Sequence, residues 1–384
     1  MLKTNRFLVM ISAAIMALSF AAFAVPAQAQ KLSLPFSELN MSIEMPKETY
    51  MELSAQYTRE LKDEALLKHS FRLPKTWTDQ MGEAKKTDFS TKVETLISHY
   101  IGPPNMYARS SFEVKVLKMD REMDLMHWYF TYMGTKGYSV TALKEWADGR
   151  RVEAEAIRID VEATFVMRSV AMLSGDLVVI AEYSVPDPFW GEQRDEAVWS
   201  ASTFTLEYAN DRTIEPRKEF SILDIVKFNY PGSWQVRRPK LTVVDELSAV
   251  ATSRNQRGEY DGRLDAFFLA SHAGGTREEN LKLYKEKYTD IVSFDLGAHI
   301  ETLEGQTYDE SISAGRVDIF KALKPGTESE TGYEIWMALL ESNVYDGYVF
   351  MNTVSREIDF VTWAKNQRSF KIMVESMELH GHAR

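Results

Sequence analysis

Phe71-Arg-Leu-Pro74-Lys-Thr-Trp77 recurs as Phe228-Asn-Tyr-Pro231-Gly-Ser-Trp234, and each anchor is displaced by the same 157 residues (228−71, 231−74 and 234−77). Two apolar residues at alternate positions read as a short strand. Proline, with no N–H to give a ladder, ends it, and tryptophan turns back to cover a core. The flanking elements repeat in the same order. In the first copy residues 112–119 (FEVKVLKM) alternate as a strand, and a helix opened by Asp120 carries Leu125, Trp128, Tyr129 and Tyr132 on one face. Strands over 151–159, 161–173 and 176–185 follow, the last two joined at Ser174-Gly175. A short helix to Trp199 and a strand over 201–208 close the copy.

The second copy has its strand at 264–271 (LDAFFLAS), a Gly274-Gly275 turn, and a capping box Thr276-Arg-Glu-Glu279. The capped helix places Leu281, Tyr284, Tyr288 and Ile291 on its buried stripe. Strands are expected at 298–303, 316–323, 333–341 and 347–355, then a short helix with Trp363 and a strand over 370–377. Two stretches of the first copy have no counterpart. Residues 46–68 carry helical spacing (Met51, Tyr57, Leu61, Leu66), and 78–111 carry it at Val93, Leu96 and Ile97 before Gly102-Pro103-Pro104. Residues 209–219 (ANDRTIEPRKE) are polar and contain Pro216, as a linker between domains should.

The expected organisation is therefore α+β, with a first domain over 30–208, a linker over 209–219, a second domain over 220–379 and a tail over 380–384. A strand ending in Pro-x-x-Trp, an early helix, long antiparallel strands and a late helix before a last strand resemble the PsbP/Mog1-like α/β/α sandwich. The second copy fits that order best: Phe228 to Trp234, the helix from Thr276, then 333–341 and 370–377. The resemblance implies two tandem sandwich domains and a binding, assembly or scaffold role, and it transfers no site residues.

Composition excludes several function classes. The chain has 384 residues, 45% hydrophobic, with 20 Phe, 17 Tyr and 8 Trp, enough for more than one packed core. Its 45 basic and 56 acidic residues leave a net charge of −11, which argues against nucleic acid or an anionic membrane as partner. The absence of Cys removes disulfides, thiolate nucleophiles and sulfur-ligated metals.

The N-terminus reads as an export signal over residues 1–29. Lys3 and Arg6 precede an apolar stretch from Phe7 to Val25, Pro26 ends it, and Ala27-Gln28-Ala29 offers small residues to a peptidase. Cleavage would leave Gln30 first, and loss of Lys3 and Arg6 leaves 43 basic against 56 acidic residues, a net charge near −13. The rival reading is an uncleaved anchor, since the stretch is nearly long enough to span a bilayer. With no Cys at the junction a lipid anchor is excluded, no second membrane span follows, and a periplasmic protein is expected, with secretion beyond the outer membrane left open.

No residue set rises to a catalytic or cofactor motif, so no catalytic residue and no cofactor are expected. His127 lies one helical turn from Asp124 but also beside Trp128, as a boundary histidine does. His380-Gly-His382 with Glu378 resembles a chelating tail, read here as an ordinary terminus. Candidate partner contacts are Phe189 and Trp190 in the loop Pro186-Asp-Pro-Phe-Trp, and two basic spots. These are Arg237 with Arg238, and Arg254 with Arg257 and Arg263 in SRNQRGEYDGR. The expected function is a non-enzymatic binding or scaffold protein with an envelope protein as partner. The alternatives are a periplasmic hydrolase with dispersed residues, for example around His127, and a carrier of a small apolar ligand in a cavity between sheet and helices.

Overall fold

The computed structural model describes residues 37–380, apart from 63, 83–92, 105–107, 162, 209 and 238–244. The signal-peptide reading over 1–29, Arg238 and His382 lie outside the described residues. Among the described residues no helix is long and apolar enough to cross a membrane.

The recurring Phe…Pro-x-x-Trp segment marks a recurring strand order. The N-terminal half contains β1 (Ser37–Glu38), α1 (Lys47–Leu53), β2 (Ser54–Arg59), β3 (His69–Pro74), β4 (Thr78–Asp79) and β5 (Thr95–Ile101). It continues with β6 (Ser111–Lys118), α2 (Leu125–Thr135), β7 (Ser139–Glu145), β8 (Arg151–Ile159), β9 (Thr164–Ser174) and β10 (Leu177–Pro186). Helix α3 (Trp190–Thr203) and β11 (Thr205–Leu206) complete it. The C-terminal half runs through β12 (Arg217–Ile222), β13 (Val226–Pro231), β14 (Gln235–Arg237), β15 (Glu246–Arg254), β16 (Tyr260–Ala270) and α4 (Arg277–Val292). Then come β17 (Asp295–Leu303), β18 (Ala314–Leu323), β19 (Glu330–Glu341), β20 (Tyr345–Val354), α5 (Phe360–Glu375) and β21 (Glu378–Leu379).

The large sheets read β7-β8-β9-β10-β6-β5-β4 and β17-β18-β19-β20-β16-β15-β14, with β1 added in parallel beside β7. The small sheets read β11-β3-β2 and β21-β13-β12. Each large sheet is covered on both faces. Helix α3 closes a core of Phe71, Trp77, Phe112, Tyr183 and Phe204, and α5 lays Trp363 and Phe370 edge-on against Trp336. The opposite faces differ. Under α2, Lys115 is buried and reaches Glu182 (2.5 Å) and Glu113 (2.8 Å), and burial alone would lower its pKa, but these carboxylates hold it raised. Under α4 the packing is aromatic, with Phe267, Tyr348 and Phe350 against Tyr284 and Tyr288.

Several local expectations are corrected. Residues 370–377 belong almost entirely to α5, and the last strand is only Glu378–Leu379, because Trp363, Phe370 and Val374 recur at helical spacing. Residue 201 likewise lies in α3, and the closing strand of that half shrinks to Thr205–Leu206. The helix expected over 46–68 stops at Leu53 and becomes β2, which pairs with β3 as β12 does with β13. The helical spacing at Leu96 and Ile97 is strand β5, and α2 is capped at Asp124 rather than opened by Asp120.

Residues 120–123 are used elsewhere, at a junction between the halves, which belong to one compact unit, Pro35–Arg384. Glu215, in the segment read as a solvated linker, is buried. One of its carboxylate oxygens accepts from the Glu122 N–H (2.8 Å) and the other from the Ser233 N–H (2.8 Å). The Glu122 carboxylate is also buried, with Arg217 at 3.6 Å and Arg368 at 3.8 Å. Beside it His127 packs T-shaped against the stacked rings of Phe360 and Trp363, and Asp124 pairs with Arg368 (3.4 Å) and Lys371 (3.6 Å).

His69 supplies a pH test of the N-terminal core. Its Nδ1 donates to the Leu67 carbonyl (2.8 Å), so Nε2 accepts from the Ser98 hydroxyl (2.9 Å). Burial pulls its pKa from 6.5 down to about 4. Between those values the unfolded chain binds more protons than the folded one, so this stability is present above pH 6.5 and lost as pH falls towards 4. The loss should total roughly 3 kcal/mol. Urea midpoints of the wild type and His69→Gln should therefore converge between pH 7 and pH 4.5, and a gap independent of pH would contradict the assignment.

Candidate functional site

Helix α4 covers the aromatic face of the C-terminal sheet but stops at Val292, where Ser293 adopts a left-handed φ of 57°. The sheet continues beyond it. Thr252 of β15, Arg263 of β16 and Asn352 of β20 are paired in register as one row on that face. With Arg237 at the end of β14, they floor an open cleft of about 590 Å³. One wall is Tyr260 and Asp261. The other is Ile291, Phe294 and Tyr333, with the Phe294 and Tyr333 rings stacked at 5.3 Å. Tyr260, Ile291 and Tyr333 are exposed, so the rim is apolar and aromatic.

The polar groups of the cleft are unevenly satisfied. Arg263 donates through Nε (2.8 Å) and Nη2 (3.0 Å) to the buried Asp265 carboxylate. Arg237 has no carboxylate within ion-pair distance among the described residues. The Thr252 hydroxyl and one Asp261 carboxylate oxygen are buried with no hydrogen-bond partner. So is the Tyr288 hydroxyl, whose pKa burial pushes well above 10. Among the described residues the floor thus presents a guanidinium with no carboxylate partner, inside aromatic walls. That combination suits a carboxylate carried next to an apolar group.

The structure sorts the candidates read from the sequence. Arg237 and Arg263 meet at this cleft. Arg254 lies flat on Tyr260, 3.8 Å from the ring centroid, and donates to the Gly258 carbonyl. Arg257 sits on the exposed β15–β16 turn, where its N–H donates to Asn255 (2.9 Å). Phe189 and Trp190 do not stand clear of the protein; both are half-buried against the N-terminal core. His127 is buried at the junction, its pKa lowered by burial and its Nδ1 without a partner, and none of the clefts described here opens onto it. His380 contacts Glu378 (2.9 Å), and among the described residues no group of three His, Asp or Glu is placed to hold a metal.

Ile291 was expected on the buried stripe of α4 but is exposed on the rim, because the helix ends one residue later and no strand faces it. Tyr260 and Tyr333 were not singled out. The usable signal was a helix of 16 residues, about 24 Å long, set against strands of 10 to 12 residues that span 33 Å or more.

No family model matches the chain, and no curated protein matches it. Solved structures do. Mog1p, a Ran-binding protein of Saccharomyces cerevisiae, matches at 14% identity over 40% of this chain and 95% of that one, with a TM-score of 0.30. CyanoP, the cyanobacterial PsbP of Synechocystis sp., matches at 11% identity over 40% of this chain and 92% of that one, with a TM-score of 0.28. Immunity protein TplEi of T6SS from Pseudomonas aeruginosa matches at 9% identity over 84% of this chain and 97% of that one, with a TM-score of 0.22. These likenesses concern the fold alone, and the first two meet the PsbP/Mog1-like resemblance over 40% of the chain.

The two arginines should separate structure from recognition. Arg237→Ala is expected to leave the urea midpoint within about 0.5 kcal/mol of wild type. Arg263→Ala strands the Asp265 carboxylate and should cost about 1–3 kcal/mol. Equal effects in chemical denaturation would show that Arg237 has a structural partner after all.

Proposed function

We propose that this protein is an exported, non-enzymatic binding protein of the cell envelope, and that the cleft at the end of α4 holds a segment of a protein partner. The observation that carries the reading is Arg237. Among the described residues it has no carboxylate within ion-pair distance, and it lies on the floor of an open cleft rimmed by exposed Tyr260, Ile291 and Tyr333, in a chain of net charge −11. Arginine and tyrosine dominate binding energy at protein contacts because both bring large contact area and directed polar groups. The fitting segment is extended, with a carboxylate beside an apolar side chain. Export is supported by the basic, apolar and small-residue order of residues 1–29. The duplicated strand order supports treating the halves as two tandem sandwich domains.

A carrier of a small amphipathic acid is the second reading, because about 590 Å³ falls in the usual range of ligand pockets. Photocrosslinking decides between them. A benzoylphenylalanine at Tyr333 should give protein adducts in intact cells, and Arg237→Glu should abolish them, while the same probe at Leu283 on the outer face of α4 gives none. Equal adducts at both positions would overturn the site. A small molecule released from the purified protein by denaturation, with no protein adduct at Tyr333, would select the carrier.

A further inference from the structure

The two repeated tryptophans mark a repeated pocket. Each Trp backbone N–H donates back to the proline carbonyl of its own segment, Trp77 to Pro74 (3.0 Å) and Trp234 to Pro231 (2.9 Å), and each side chain is buried. Trp77 lines a pocket of about 330 Å³ and Trp234 one of about 200 Å³. The linings correspond position by position. Thr76 matches Ser233 at the separation of 157 that relates the tryptophans. At the last helix of each half, Phe189, the residue before α3, matches Thr362, and on the helices Gln193 matches Asn366 and Glu196 matches Ser369, each separated by 173. Even the packing of the polar helix residue repeats. The Ser110 hydroxyl donates to the Gln193 amide oxygen (2.7 Å), while Gly262 lies so close to Asn366 that an added Cβ would come within 2.6 Å of its amide oxygen.

In one of these pockets the other half of the chain supplies part of the wall. Asp120, Arg121 and Glu122 of the N-terminal half, with Glu215, line the Trp234 pocket, whose receiving side carries Lys365 and Arg254. At the position of Lys365 the N-terminal half has Glu192, by the same separation of 173, and at the position of Ser369 it has Glu196. The receiving charge is thus reversed. Glu196 is half-buried beside Trp77, Pro103, Pro104 and Phe189, and it accepts only a long bond from the Tyr183 hydroxyl (3.4 Å). Among the described residues no cation lies within ion-pair distance of it, and burial raises its pKa. A half-buried carboxylate with no cationic partner among the described residues, inside an aromatic and proline wall, is completed by a cation.

We propose that the Trp77 pocket is a docking site for a basic segment of a partner protein, with a lysine or arginine side chain lying over the aromatic wall and paired with Glu196. The pocket repeats a site that in the C-terminal half is walled on one side by residues 120–122, and its helix carries Glu192 and Glu196 where the other carries Lys365 and Ser369. It is independent of the cleft at the end of α4.

The probe is a fluorescein-labelled peptide of sequence Gly-Lys-Pro-Arg-Gly, with Gly-Glu-Pro-Asp-Gly as its acidic counterpart, titrated against the mature chain by anisotropy. The basic peptide should bind and the acidic one should not. The isosteric Glu196→Gln and the exposed Glu192→Lys should each weaken binding about tenfold or more. Glu286→Gln, on the far helix α4, should leave it unchanged. Equal losses in Glu286→Gln, or no loss in Glu196→Gln, would reduce the effect to the net charge of the protein and overturn the proposal. Sedimentation showing self-association that Glu196→Gln abolishes would assign the pocket to a second copy of the chain and overturn the choice of partner. Crosslinking from Tyr333 should persist in Glu196→Gln, so failure of either site is distinguishable from failure of the other.

Discussion

The carboxylate of Glu215 holds two backbone N–H groups that belong to different halves of the molecule, Glu122 on one side and Ser233 on the other. Charged acceptors make the stronger class of hydrogen bond, and buried ones must be fully used. Arg121, Arg217 and Arg368 surround this junction, so its two buried glutamates are not left as isolated charges. The consequence reaches well past the segment itself. With the 120–122 loop in place, His127 is set edge-on against Phe360 and Trp363, Asp124 meets Arg368 and Lys371, and the Trp234 pocket gains a wall.

Two copies of one strand order are therefore used differently. Under α2 the sheet face carries Lys115 among carboxylates, a set that is costly to bury and must be complete. Under α4 the same face carries phenylalanines and tyrosines, and the helix ends before the sheet does. What the short helix leaves open is the cleft with Arg237. At the opposite faces, residues 120–122 wall one side of the Trp234 pocket. Both proposed contact sites lie where one copy of the duplicated architecture lacks an element present in, or beside, the other.

The parts legible in the sequence are those decided locally. The Pro-x-x-Trp anchors, the capping box at Thr276 and Glu279 and the long strands β8, β10, β16 and β19 depend on neighbours a few residues away. Helix α5 was misread because Phe370 to Met377 is apolar at nearly every second position, a pattern that serves a buried helix as well as a strand. Glu215 was read as a linker charge because its partner is 93 residues away. Arg237 and Arg263 were visible as basic residues, but their convergence with Tyr260 and Tyr333 follows from strand register and from where α4 stops, neither of which has a local signature.

Native-state hydrogen exchange on the chain carrying Glu215→Gln tests the junction most directly. Protection should fall at the Glu122 and Ser233 amides and along the facing surfaces of α2 and α5, while the central strands β9, β10, β16 and β20 keep theirs. Unchanged exchange at Glu122 and Ser233, or an equal loss across both large sheets, would contradict the role assigned to that carboxylate.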